Sequence, residues 1–160
     1  MANQNLELLK EAAKQLRPLL SKVVFVGGCT TGLLITDEAA PDVRSTTDVD
    51  IIVEITSYAD YEIFSNQLRN LGFAEDTEEG APLCRWQKNM TKLDVMPLDE
   101  KILGFSNCWY KPAMERAWKH EIEKGLYLRV INGVYFCATK LKRLKVEAIE
   151  TISPVMIWKI

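Results

Sequence analysis

Eight residues, DVDIIVEI at positions 48–55, constrain the fold more than any other stretch of this chain. Valine and isoleucine dominate the segment, and β-branched side chains suit a pleated, half-buried surface, so it is read as a strand. Side chains alternate across a strand. Asp48 and Asp50 therefore share one face, while Val49, Ile51 and Val53 take the other. Two like charges at this spacing repel, and placing them near a core costs free energy unless a cation offsets them. The segment thus calls for a sheet in which one strand either leaves an acidic face in solvent or presents it to positive charge.

The rest of the chain supplies partners for that strand. Leu6, Leu8, Leu9, Ala12, Ala13, Leu16, Leu19 and Leu20 fall close to a 3.6-residue stripe, which predicts a first helix over residues 6–20. Val23-Val24-Phe25-Val26 is a short apolar run stopped by Gly27-Gly28, the pattern of a buried strand ending in a turn. Residues 29–35 predict a short buried helix, and 37–47 (DEAAPDVRSTT) a loop. Helical spacing returns over 58–71 with Gly72 as its C-cap. Residues 73–74, 83–86 and 92–96 predict short strands, whereas 98–111 fit no single period. Residues 112–124 predict a helix stopped at Gly125, followed by a strand over 126–131 and a helix over 134–145. Helices and strands mixed in this order, with strands clustered mid-chain, predict an α+β (mixed α/β) fold.

With 160 residues and 48% hydrophobic content, the chain can bury one core and is read as one domain. A net charge of -2 and a pI near 5.5 exclude a global basic field for nucleic acid or acidic membrane. The N-terminus lacks the apolar run of a signal peptide, and no stretch has the length of a membrane span. Cys29, Cys84, Cys108 and Cys137 are widely separated and form no CxxC pair. They are read as reduced core thiols rather than as zinc ligands or a disulfide framework. A cytoplasmic location is expected.

Three features carry chemistry. Hard divalent cations take oxygen ligands, and Mg2+ commonly binds through a couple of carboxylates together with substrate phosphates. Asp94, in KLDVMP, stands on a strand that can lie beside the Asp48–Asp50 pair. Three converging carboxylates can hold two metal ions that clamp the attacking and leaving oxygens of an in-line phosphoryl displacement. Upstream, strand, Gly27-Gly28 and helix put bare backbone and a helix N-terminus where a triphosphate can approach. Each feature alone has an ordinary structural reading: a solvated strand face, a turn, a surface acid. Their order along the chain is what joins them. Arg44 and Thr47, just before the paired aspartates, are candidates for base or phosphate contacts, as is Lys140 in CATKL. Arg85 and Trp86 are read as strand packing, Trp109, Tyr110 and Trp118 as packing rather than base stacking, and His120 as a helix-surface residue.

The ordered set FVGG, then STTDVDIIVEI, then KLDVMP resembles the nucleotidyltransferase superfamily typified by DNA polymerase beta. Its pattern is an apolar residue, Gly, Gly or Ser, then a strand with Asp-x-Asp, then a later strand with one Asp. The interval between Gly28 and Asp48 is longer than the superfamily's usual one and is most similar to the minimal nucleotidyltransferases of the bacterial abortive-infection toxin type. The similarity spans residues 23–141. It implies a nucleotidyltransferase fold, a small mixed sheet flanked by helices. It also implies a Mg2+-dependent enzyme, with two ions, moving a nucleoside monophosphate from a nucleoside triphosphate such as ATP onto an RNA, protein or small-molecule acceptor. Asp48 and Asp50 would be ligands of both metals, and Asp94 a ligand of the catalytic metal and base for the acceptor hydroxyl. Gly27, Gly28 and Lys140 would contact the triphosphate. An antitoxin partner and a toxin–antitoxin role follow from the same resemblance. The alternative is a catalytically impaired nucleotide-binding module or remnant.

Beyond Leu141 the resemblance stops. Relatives of the toxin type continue with a Gly-Arg-Gly turn and a Ser-His-Asp-x-Glu-Asp helix start. This chain instead reads KRLKVEAIETISPVMIWKI over 142–160. Permitted codons for this tail, read one base out of phase, encode strings of those two types. The tail is therefore read as an out-of-frame segment following a domain of residues 1–141. Pro154 is expected to interrupt any helix there, and the apolar end to offer a homodimer contact.

Overall fold

The computed structural model describes residues 4–37 and 39–156, with residues 146–156 described by their backbone alone. Helix α1 (Gln4–Gln15) turns Leu9, Ala12 and Ala13 into the core, and Leu16 follows at the next turn. A 3-10 turn (Arg17–Leu19) leads into β1 (Val23–Val26), buried along its whole length. A second 3-10 turn (Gly28–Thr30) and the single-turn α2 (Thr31–Leu34) precede the long loop and β2 (Asp48–Val53). Then come α3 (Tyr58–Asn70), β3 (Ala74–Glu75), β4 (Arg85–Lys88) and β5 (Thr91–Pro97). The remaining elements are α4 (Glu100–Leu103), α5 (Tyr110–Glu115), β6 (Trp118–Glu123), β7 (Leu126–Val130) and α6 (Gly133–Met156).

The described strands form one mixed sheet in the order β3-β4-β5-β2-β1-β7-β6. The pairs β2–β5 and β1–β7 are parallel, and the others are antiparallel. A parallel pair cannot be closed by a tight hairpin and needs a crossover; α3 with β3 and β4 supplies it between β2 and β5. Ser57 fixes the start of that crossover by accepting from the Asp60 backbone N–H at 3.1 Å. Phe25, Ile51, Ile52, Leu93, Leu128 and Trp86 are buried in one continuous core. The fold is α+β, with its sheet centred on the apolar strands that the sequence marks out. Among the described residues no helix is long and apolar enough to cross a membrane.

Five local readings need correction. Residues 112–124 do not form one helix: α5 ends at Glu115, and 118–123 form β6 in a hairpin with β7. Cross-strand pairing and a left-handed Gly125 (φ 76°) outweigh the helical spacing. His120 consequently lies on a strand, opposite Leu128. Residues 29–35 are a 3-10 turn plus one α-helical turn, and none of α2's residues is buried, because Cys29 and Thr30 before it plug the core instead. Pro154 does not stop α6, which runs unbroken past position 141 to Met156. Pro154 lies in the last turn of α6, two residues before its end. Finally, all four cysteines are free, but only Cys29 and Cys84 are buried, while Cys108 and Cys137 are exposed. The apolar homodimer contact assigned to the chain end falls on side chains outside the described residues.

Candidate active site

Burial along β2 shows where the acidic face emerges. Ile51, Ile52 and Val53 are all buried, so both faces of the strand are covered there; Asp48 and Asp50 are half-buried on either side of buried Val49. The parallel pairing sets Asp50 opposite Asp94 of β5, and the antiparallel pairing of β4 sets Arg85 opposite Asp94. Residues directly opposite one another share a sheet face. Asp48, Asp50, Asp94 and Arg85 therefore stand on one face of three adjacent strands.

Arg85 joins two of the three acids. Its Nε donates to Asp94 Oδ1 at 2.8 Å, and its Nη2 donates to Asp94 Oδ2 at 2.8 Å and to Asp48 Oδ2 at 2.7 Å. Asp50 lies instead against Gly27, whose φ is 74°. A Cβ at Gly27 would sit 1.9 Å from Asp50 Oδ2, and one at Gly28 would sit 2.5 Å from Thr46 Cγ2. Gly27 is required by its backbone conformation as well as by close approach, and Gly28 sits close against the Thr46 side chain. Burial pushes the Asp50 carboxyl up to about 7, aided by the charges of Asp48 and Asp94, while Lys140 and Arg143 oppose the shift. Burial likewise raises the thiols of Cys29 and Cys84 and the Tyr110 phenol to about 12, with Asp50's charge contributing at all three.

Two cavities flank this face. One of about 420 Å³ is lined by Gly27, Asp50, Asp94, Tyr110, Lys140 and Arg143 among others. The second, of about 650 Å³, is lined by Gly28, Arg44, Thr47, Asp48 and Lys140 among others. Lys140, half-buried on α6 with its Nζ 5.7 Å from the centre of the Phe136 ring, borders both. Arg44 and Thr47 are exposed on the loop before β2. That loop is tied down by Asn5 of α1, which is 1% exposed. Its Nδ2 donates to the Arg44 carbonyl at 3.0 Å, and its Oδ1 accepts from the Thr46 N–H at 2.9 Å.

The structure thus gathers Asp48, Asp50, Asp94, Gly27, Gly28 and Lys140 around one sheet face and leaves Arg44 and Thr47 at the mouth of the second cavity. Arg85 is not mere strand packing, although its neighbour Trp86, 1% exposed, is core. Its signal in LCRWQ was a cation alternating with buried Cys84 and Trp86, hence on the face opposite to theirs. Asn5 and Arg143 gave no comparable signal. Tyr110 lines the first cavity, whereas Trp109 packs near Tyr135 with ring centres 6.3 Å apart and Trp118 stands exposed on β6.

The three carboxylates make an oxygen donor set suited to a hard divalent cation. The strand register and the bare Gly27 suit it as well. Among the described residues no three His, Cys, Asp or Glu side chains stand grouped so as to hold a metal ion: Arg85 draws Asp48 and Asp94 together while Asp50 faces Gly27. The residues suit such an ion in kind, with a guanidinium standing among them. No protein-family model matches the chain, and no curated protein matches it.

Proposed function

We propose that this chain is a nucleotidyltransferase, moving a nucleoside monophosphate from a nucleoside triphosphate onto a hydroxyl of an RNA, protein or small-molecule acceptor. The observation that carries the reading is the alignment of Asp50 with Asp94 across parallel strands, on the face that also bears Asp48, with Gly27 pressed against Asp50. Asp48, Asp50 and Asp94 would hold Mg2+, which when bound neutralises charge developing on the transferred phosphoryl group. The chain's own groups bind and orient. Gly27 borders the first cavity and Gly28 the second with bare backbone, and Lys140 and Arg143 bring positive charge to the first. In this reading Asp94 would take the proton of the acceptor hydroxyl.

A second reading, a nucleotide-binding module that no longer catalyses, is favoured by the Arg85 pairing with Asp48 and Asp94. Both readings require nucleotide at this face. Thermal unfolding with Mg2+ and each nucleoside triphosphate tests that requirement, since a ligand bound only by the native state raises the melting temperature. A rise in the wild type that Asp50→Asn abolishes supports the site. An equal rise in the variant places the nucleotide elsewhere and defeats both readings.

A further inference from the structure

We propose that Arg85 is a resident counter-cation: its guanidinium and a divalent metal ion exclude each other at Asp48 and Asp94, so the metal enters by displacing it. The inference rests on the reading of these aspartates as metal ligands. Both Asp94 oxygens and one Asp48 oxygen are engaged by Arg85 at 2.7–2.8 Å. A divalent ion would approach the same oxygens, at about 2.1 Å for Mg2+, and its charge repels the guanidinium held there. The pairing is also largely withdrawn from solvent, with the Arg85 and Asp94 side chains 16% and 10% exposed. Removing one partner of a buried pair leaves an uncompensated charge. The site therefore exchanges one cation for another rather than standing empty of positive charge.

A consequence follows for the order of binding. Free metal binds weakly, because its apparent affinity is reduced by the fraction of molecules in which Arg85 has let go. A triphosphate brings anionic oxygens that a released guanidinium can meet, so metal and nucleotide each strengthen the other's binding. Arg85 would then couple the two ligands and keep the site closed to metal alone.

The test is Mn2+ binding to the full chain, measured by titration calorimetry, with and without a non-hydrolysable nucleoside triphosphate. Wild type is compared with Arg85→Gln and Arg85→Lys. Arg85→Gln is expected to bind Mn2+ alone roughly tenfold more tightly and to lose most of the coupling with nucleotide. Without metal it should melt below the wild type and recover on adding Mn2+, which a purely structural ion pair would not do. Arg85→Lys, able to engage fewer oxygens, should fall between the two and decides the matter if Arg85→Gln does not fold. Equal or weaker Mn2+ binding by the folded variants overturns the exchange while leaving the metal site standing. Absence of Mn2+ binding in every protein, nucleotide present or not, overturns both.

Discussion

Replacing Asp50 by Asn should stabilise the metal-free protein, and the pH dependence of that gain is specific. The Asp50 carboxyl rises from an ordinary 3.8 to about 7, chiefly through burial and then through the charges of Asp48 and Asp94. Below about pH 4 the group is protonated in both folded and unfolded chains and costs nothing. Between about pH 4 and 7 the unfolded chain releases the proton and the folded one keeps it, so stability falls as pH rises. Above pH 7 the penalty is constant. A shift of about 3 units at about 1.4 kcal/mol each gives at most about 4 kcal/mol, and partial exposure of Asp50 reduces this to about 2–3. Urea denaturation in EDTA at several pH values measures it. Asp50→Asn should match the wild type near pH 4 and exceed it by a growing margin up to about pH 7. Mg2+ should close the gap by stabilising the wild type alone. A variant less stable than the wild type above pH 7, or a difference independent of pH, would refute the reasoning.

Gly27→Ala combines a left-handed backbone with a Cβ 1.9 Å from Asp50 Oδ2, whereas Gly80→Ala has a similar φ and nothing within 4 Å. The first should lose about 1–3 kcal/mol and its nucleotide affinity, the second about 1 kcal/mol alone; paired denaturation and thermal-shift curves would separate strain from clash. Asn5→Leu removes both ties to the loop at Arg44 and Thr46 and should cost about 1–3 kcal/mol. Because that loop borders the second cavity, nucleotide affinity should fall as well, measurable by titration at a temperature where the variant remains folded.

Sequence alone located what depends on local pattern. The alternation in 48–55 gave β2 and the shared face of its aspartates, and the apolar run before Gly27 gave β1 and the tight turn. It could not give the register that puts Arg85 and Asp94 opposite each other, since the chain between them folds back through a hairpin whose pairing is set by cross-strand partners. Asn5 was hidden for a related reason: a polar residue on an apolar helix reads as surface until the loop it ties, some forty positions on, is in place. In 118–123 the helical spacing was real but weak, and pairing with β7 decided the conformation. At Pro154 the local propensity against helix does not decide the backbone, since α6 continues to Met156.

The proposed activity is transfer of a nucleoside monophosphate at the Asp48–Asp50–Asp94 face. The most direct measurement incubates the wild type and Asp94→Asn with Mg2+, cell extract and nucleoside triphosphate labelled at either the α- or the γ-phosphate. The wild type is expected to place α-label on an acceptor and release pyrophosphate, γ-label never to reach the acceptor, and Asp94→Asn to do neither. Acceptor labelled from the γ-phosphate, equal α-label transfer by the Asp94→Asn protein, or no transfer by a wild type that binds nucleotide would contradict it.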